Sequence, residues 1–163
     1  MVTKNSKLSG CAKLNSKRPL KLFKAARDAA INAYAPYSGF SVGAAVETSD
    51  GRIFVGANME NASFGLTVCA EVGALQAAST ANALDKIRRI AIVGGPRIKT
   101  LNPKQLKPTA PCGRCRQLIS EAAIFGGYDI EVWYADLDIT CIKCKTISDL
   151  LPDSFGASSL KKD

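Results

Sequence analysis

The sequence predicts an α/β fold, a three-layer α-β-α sandwich with a mixed five-stranded sheet, and three observations carry that prediction. Two runs of period-two apolar residues meet at Asp50-Gly51, a tight-turn signal that makes them a hairpin. Two later apolar runs, over 90–93 and 130–135, each follow a stretch with helical character, as strands joined by crossover helices do. The chain has 163 residues, 47% of them apolar, which suits one domain with one core.

The first element is a helix from about Pro19 to Tyr34. Pro19 suits an opening helical position, and Leu22, Phe23, Ala26, Ala30 and Ala33 recur at helical spacing. Pro36 stops the run, because the residue before a proline avoids the helical region. Over 40–57 the hairpin points Phe40, Val42, Ala44 and Val46 to one face and Ser41, Gly43 and Ala45 to the other. So small a second face admits a close neighbour such as a packed helix. A loop over 58–68 leads to an Ala-rich helix over 69–82, and Ile90 to Val93 then reads as a buried strand ended by Gly94-Gly95. Pro96, Pro103 and Pro108 mark 96–110 as a loop. A second crossover helix starts near Cys112, runs to about Phe125 and stops at Gly126-Gly127, with a strand over 130–135 after it. Asp136 to Asp138 turns the chain, 139–146 alternates like a last strand, and a short helical segment leads into Leu150-Leu151-Pro152. On such sheets ligands bind at the carboxyl ends of the parallel strands, where the starts of the helices carrying Cys69 and Cys112 would meet.

Charge divides the chain. Residues 1–21 hold six basic side chains and no acid, whereas the rest holds 16 basic and 14 acidic ones. Residues 1–18 therefore read as a basic, solvated, disordered tail and 19–163 as the folded domain. A nearly neutral body argues against a nucleic-acid partner, which would want basic residues beside the site. No apolar run approaches the roughly 18 residues that span a bilayer, and no signal-peptide segment opens the chain. The expected compartment is the cytoplasm, and six cysteines there read as reduced thiols and metal ligands.

Chemistry is narrowed most by a missing residue type: there is no histidine. Ser-His-Asp triads, Cys-His nucleophiles and His-ligated metals are excluded, so a zinc site here must be built mainly from cysteine. Cys112 and Cys115 stand three apart at a helix start and share its face. Cys69 opens the other crossover helix and supplies a third thiolate. Three protein ligands leave one position on zinc open, the arrangement of a catalytic rather than a structural centre, and Glu71, two residues from Cys69, is the candidate base. A four-cysteine ribbon of Cys112, Cys115, Cys141 and Cys144 is the structural alternative. Against it, Cys141 and Cys144 lie three apart in an alternating strand and point to opposite faces. They and Cys11 read as ordinary thiols. Three thiolates leave the zinc site with a net negative charge, which the two helix N-termini and Arg114 or Arg116 would compensate.

Five segments together resemble the small homotetrameric cytidine deaminases: Tyr37 to Ala45, Asn58 to Ser63, Cys69-Ala70-Glu71, Pro111 to Gln117, and Leu150 to Phe155. The resemblance covers about 20–157 and implies a cytidine-deaminase-like fold with one Zn2+ per subunit, held by Cys69, Cys112 and Cys115. It implies Glu71 as proton shuttle, Asn58 and Glu60 on the ribose hydroxyls, backbone groups of Ala70 and Ala110 on the base, and Phe40 packed against it. It also implies that Phe155 closes the pocket of a neighbouring subunit, whence a tetramer. Many relatives carry arginine after the glutamate, bonded to zinc-bound sulfur; here Val72 stands there. The blasticidin-S deaminases share the cysteine motifs, but Asn58-Met59-Glu60 followed by Asn61-Ala62-Ser63 favours a nucleoside substrate. A catalytically silent zinc-binding protein is the remaining alternative.

Overall fold

The computed structural model describes residues 17–97 and 107–160. Its elements are α1 (Lys17–Ile31), β1 (Phe40–Thr48), β2 (Ile53–Ala57), α2 (Ala70–Thr80), β3 (Ile87–Pro96), α3 (Gly113–Gly126), β4 (Glu131–Asp136), β5 (Ile142–Thr146) and the single turn α4 (Ile147–Leu150). The five strands lie in the order β2-β1-β3-β4-β5. β1 is antiparallel to β2 and β3, β3 is parallel to β4, and β5 is antiparallel to β4. β2, β3 and β4 therefore run in one direction. α2 and α3 follow β2 and β3, so both helices begin at the same end of the sheet.

Alternation along β1 sets the layers. Ala44 and Val46 join Ile90, Ile92, Ile119 and Val132 in the core under α2 and α3, while Ala45 joins Leu22, Phe23, Ala26 and Val93 under α1. The small face of β1 is what seats α1: a Cβ at Gly43 would lie 1.9 Å from the Ala26 carbonyl oxygen and 2.6 Å from the Ala30 nitrogen. Gly56 on β2 does the same for α2, where a Cβ would lie 2.3 Å from the Ala70 carbonyl oxygen. The first turn of α2 is thus pressed onto the sheet. None of the described helices is long and apolar enough to cross a membrane.

The expected sandwich and its element order are present, and the boundaries differ for local reasons. α1 ends at Ile31 rather than Tyr34, because Tyr34 turns to the following loop: its N–H donates to the Asn58 carbonyl (3.0 Å) and its carbonyl accepts from Glu60 N–H (2.8 Å). β3 is longer than its apolar run, since pairing with β1 extends from Ile87 to Pro96. β5 starts at Ile142 instead of Ile139. The buried Asp136 carboxylate explains this, accepting from Thr140 N–H and Cys141 N–H at 2.8 Å each and from the Thr140 hydroxyl at 2.9 Å, while Ile139 adopts a φ of 58°. Cys141 is disulfide-bonded, which corrects the expectation of six reduced thiols. Composition argues about a compartment and says nothing about which thiols come close enough to bond. Of the expected tail over 1–18, Lys17 and Arg18 already belong to α1, and the remainder lies outside the described residues, as do Cys11 and 98–106 of the proline-rich loop.

Candidate metal centre and active site

Both crossover helices begin on a cysteine. Cys69 caps α2 (φ −72°, ψ 153°) and Cys112 caps α3 (φ −68°, ψ 168°), each extended and neither using its side chain to cap the helix. Helix caps favour Ser, Thr, Asp or Asn, whose oxygens accept the first free N–H groups. Thiols here accept none of them; at α2 the Val72 N–H turns back to the Cys69 carbonyl at 3.1 Å, and the positive ends of both helices face sulfur. Cys115 sits one turn into α3, fully buried. The sulfurs of Cys69, Cys112 and Cys115 lie within 4.8 Å of one another, with Cys69 and Cys112 4.0 Å apart. A tetrahedral zinc with ligands at about 2.3 Å holds its sulfurs about 3.8 Å apart, so the cluster fits zinc with little movement. No other described cysteine, histidine or carboxylate group forms such a cluster.

The sulfurs compete for protons. Hydrogen bonding to Cys115 brings the Cys69 thiol down to about 6, with smaller help from Cys112 and from the charge of Arg114. The same bond, together with burial, pushes Cys115 upward. Glu71, on the first turn of α2, is 4% exposed, and burial pushes its carboxyl up; its own backbone N–H and the Cys115 thiol pull the other way. A desolvated acid therefore stands beside the ligand set without belonging to it. Val72 instead lines an apolar groove between α2 and α3 with Leu75, Leu84 and Leu118. Arg116 acts on backbone: Nε donates to the Pro111 carbonyl at 3.0 Å and Nη1 to the Leu150 carbonyl at 3.1 Å. It thereby holds the residue just before Cys112.

The loop residues expected at the ribose are nearly buried, Asn58 at 9% and Glu60 at 8% exposure. Asn58 bridges the start of β1, its Oδ1 accepting from Val42 N–H at 2.8 Å and its Nδ2 donating to the Phe40 carbonyl at 3.0 Å. Glu60 accepts from Tyr37 N–H at 2.9 Å, from Ser38 N–H at 3.1 Å and from the Ser38 hydroxyl. Both side chains thus fix the backbone that carries the partly exposed Phe40, and each keeps hydrogen-bonding capacity for a ligand. Ala70 is buried at the α2 start, Ala110 is exposed in the approach to Cys112, and Phe155 is exposed on the C-terminal segment.

Sequence reasoning missed the residues that hold this frame. Thr109 donates from its hydroxyl to the Gly94 carbonyl (3.0 Å) and from its N–H to the Ala135 carbonyl (3.1 Å), anchoring Ala110 to the ends of β3 and β4. Arg97 joins the Ser41 hydroxyl at 3.1 Å to the Ala33 carbonyl at 2.6 Å. Ser38 is the third. Its hydroxyl is the main cause holding Glu60 below the usual carboxylate range. A carboxylate depressed on folding contributes stability above its unfolded pKa and loses it as pH falls through the folded value. Ser38→Ala should therefore raise the Glu60 pKa in a carbon-13 NMR titration, lower stability near neutral pH, and leave a smaller loss of stability on acidification than in the parent; coincident titrations would refute the link.

Three cysteine sulfurs at two helix starts, a buried acid beside them, and this sheet are the arrangement of a zinc-dependent hydrolase of deaminase type. The chain belongs to the cytidine and deoxycytidylate deaminase zinc-binding family: the model of that family's zinc-binding region matches residues 16–126. Cytidine deaminase of Halalkalibacterium halodurans is 40% identical over 141 residues, covering 85% of this chain and 95% of that one. The Mycobacterium tuberculosis cytidine deaminase is 36% identical over 138 residues, covering 85% and 90%. Among solved structures, cytidine deaminase from Burkholderia pseudomallei is 41% identical and superposes with a TM-score of 0.71 over 83% of this chain and 98% of that one.

Proposed function

We propose that the protein is a cytosolic cytidine deaminase that converts free cytidine and deoxycytidine to uridine and deoxyuridine with release of ammonia, in pyrimidine salvage, and that it works as a homotetramer. The observation that carries this reading is the buried Glu71 beside a three-sulfur site. When bound, zinc supplies a Lewis acid that lowers the pKa of water from about 15.7 to about 7. Glu71 accepts the proton that water gives up and delivers it to N3 of the cytosine ring while a C4–O bond forms. It then carries the second proton to the exocyclic amine, and the C4–N bond breaks. The sum is nucleoside plus water to ketone product plus ammonia. Backbone groups of Ala70 and Ala110 read the base edge, Phe40 covers its face, and Asn58 with Glu60 offers one free donor and acceptor capacity to ribose hydroxyls.

The tetramer reading is supported by apolar side chains left in water. Tyr34, Met59, Phe64 and Leu66, on and beside the loop that carries Asn58 and Glu60, are more than half exposed, as are Phe125 and Phe155. Several exposed apolar groups on and beside one loop are the mark of a partner surface. Loss of cytidine absorbance with purified, zinc-loaded protein tests the activity, and sedimentation velocity tests the assembly. Zinc-loaded protein that leaves both cytidine and deoxycytidine intact would overturn the catalytic reading; a monomer at micromolar concentration would overturn the tetramer.

A further inference from the structure

Phe155 is an exposed apolar ring on a fixed backbone. The residue is 59% exposed, yet its carbonyl accepts a hydrogen bond from Gln117 Nε2 at 2.8 Å. Its neighbour Gly156 is buried, and a Cβ there would meet Ile124 Cδ1 at 2.7 Å. Gln117 and Ile124 stand seven residues apart on α3 and share a face, so the tail lies along the helix whose start carries Cys112 and Cys115. At its upstream end the same segment is held by Arg116 at the Leu150 carbonyl, by the Thr146–Asp149 capping box, and by Ser148 on Asp129. Between these tethers, Leu151 to Ser154 line one side of an open groove of about 460 Å³ whose other side includes Ser120, Ala123 and Ile124 of α3. A segment that borders an open groove, with Pro152 and Asp153 exposed, takes little register from packing, and its end tethers decide where the ring stands.

We propose that Gln117 is a positioning residue for the substrate pocket of the neighbouring subunit: its carboxamide fixes the Phe155 backbone to α3 and so sets the reach of the ring. This rests on the reading of Phe155 given above. Without the tether the tail must be ordered at each binding event, a cost that falls on substrate affinity and leaves the proton transfers untouched. Arg116 and Gln117 are adjacent, and through them the helix that holds two zinc ligands also holds the part of the chain that leaves the subunit.

Gln117→Met keeps the length of the side chain and removes the donor. In full-length, zinc-loaded protein it should raise KM for cytidine about threefold to tenfold, with kcat, zinc content and sedimentation unchanged, about 0.7–1.4 kcal/mol of binding. Phe155→Ala should raise KM at least as much, and the double variant should match Phe155→Ala alone, as coupled sites do. Hydrogen exchange at the Gly156 amide should quicken in Gln117→Met whatever the activity. A raised KM in Phe155→Ala with no change in Gln117→Met would overturn the tether and spare the reading of Phe155. No change in Phe155→Ala would overturn both. Multiplying effects, lost zinc or unchanged exchange would each show that Gln117 acts elsewhere.

Discussion

Glu71→Gln is expected to abolish turnover while zinc content stays at the parent level. The amide keeps the size and shape of the acid in a site where only 4% of the residue is exposed, so packing at the α2 start survives. It cannot take a proton from water or pass one on. General acid–base groups contribute typically about 10²- to 10⁴-fold, and the two transfers proposed for Glu71 belong at the upper end, so kcat should fall by about 10⁴. Metal analysis separates this from a trivial cause. The three sulfurs do not include Glu71, and a variant that lost zinc along with activity would place the carboxylate among the ligands, against this scheme.

Cys115→Ala should empty the metal centre and lower stability together. Two ligands would remain, one of them the exposed Cys112. Zinc sites of this kind form only in the folded chain, so binding free energy appears as folding free energy. With free metal at about 1,000 times Kd the linkage is about 4 kcal/mol. At about 2–4 °C per kcal/mol for a domain of this size, melting should fall by about 10 °C. Chelation of the parent should reproduce most of that shift, because the substitution itself removes only a small buried atom. Zinc by mass spectrometry and a thermal melt check both halves; a variant that keeps a full complement of zinc would refute the assignment of Cys115.

How much could be read without the structure depends on where each residue's partner lies in the sequence. Cys69, Cys112 and Cys115 were legible because helix spacing brings two of them together and the shared direction of β2 and β3 brings in the third. The stop of α3 was legible because Gly127 takes a φ of 61°, a local requirement. The start of β5 was not, since Asp136 claims two backbone N–H groups that an alternating pattern had assigned to a strand. Arg116 was placed by charge near the metal. Its donors in fact go to the carbonyls of Pro111 and Leu150, and backbone carbonyls carry no signature in a sequence. Asn58 and Glu60 show the same limit from the other side. Resemblance names them for a ribose, while the hydrogen bonds they already make, to 37–42, involve main chain some 16 to 23 residues away.

Placing two of the three clustered sulfurs at the caps of two helices also determines where this chain can change length. A cap is defined by where a helix begins, so an insertion in the loop ahead of it leaves the thiol at the helix entrance. Inside the helix each added residue rotates the downstream side chains by about 100° and advances them about 1.5 Å. One residue inserted between Cys112 and Cys115 would carry the buried sulfur round to another face, whereas one inserted among 61–66, which are exposed, would leave all three sulfurs in register. Variation in length among chains of this design should therefore collect upstream of Cys69 and Cys112 and vanish immediately downstream of them.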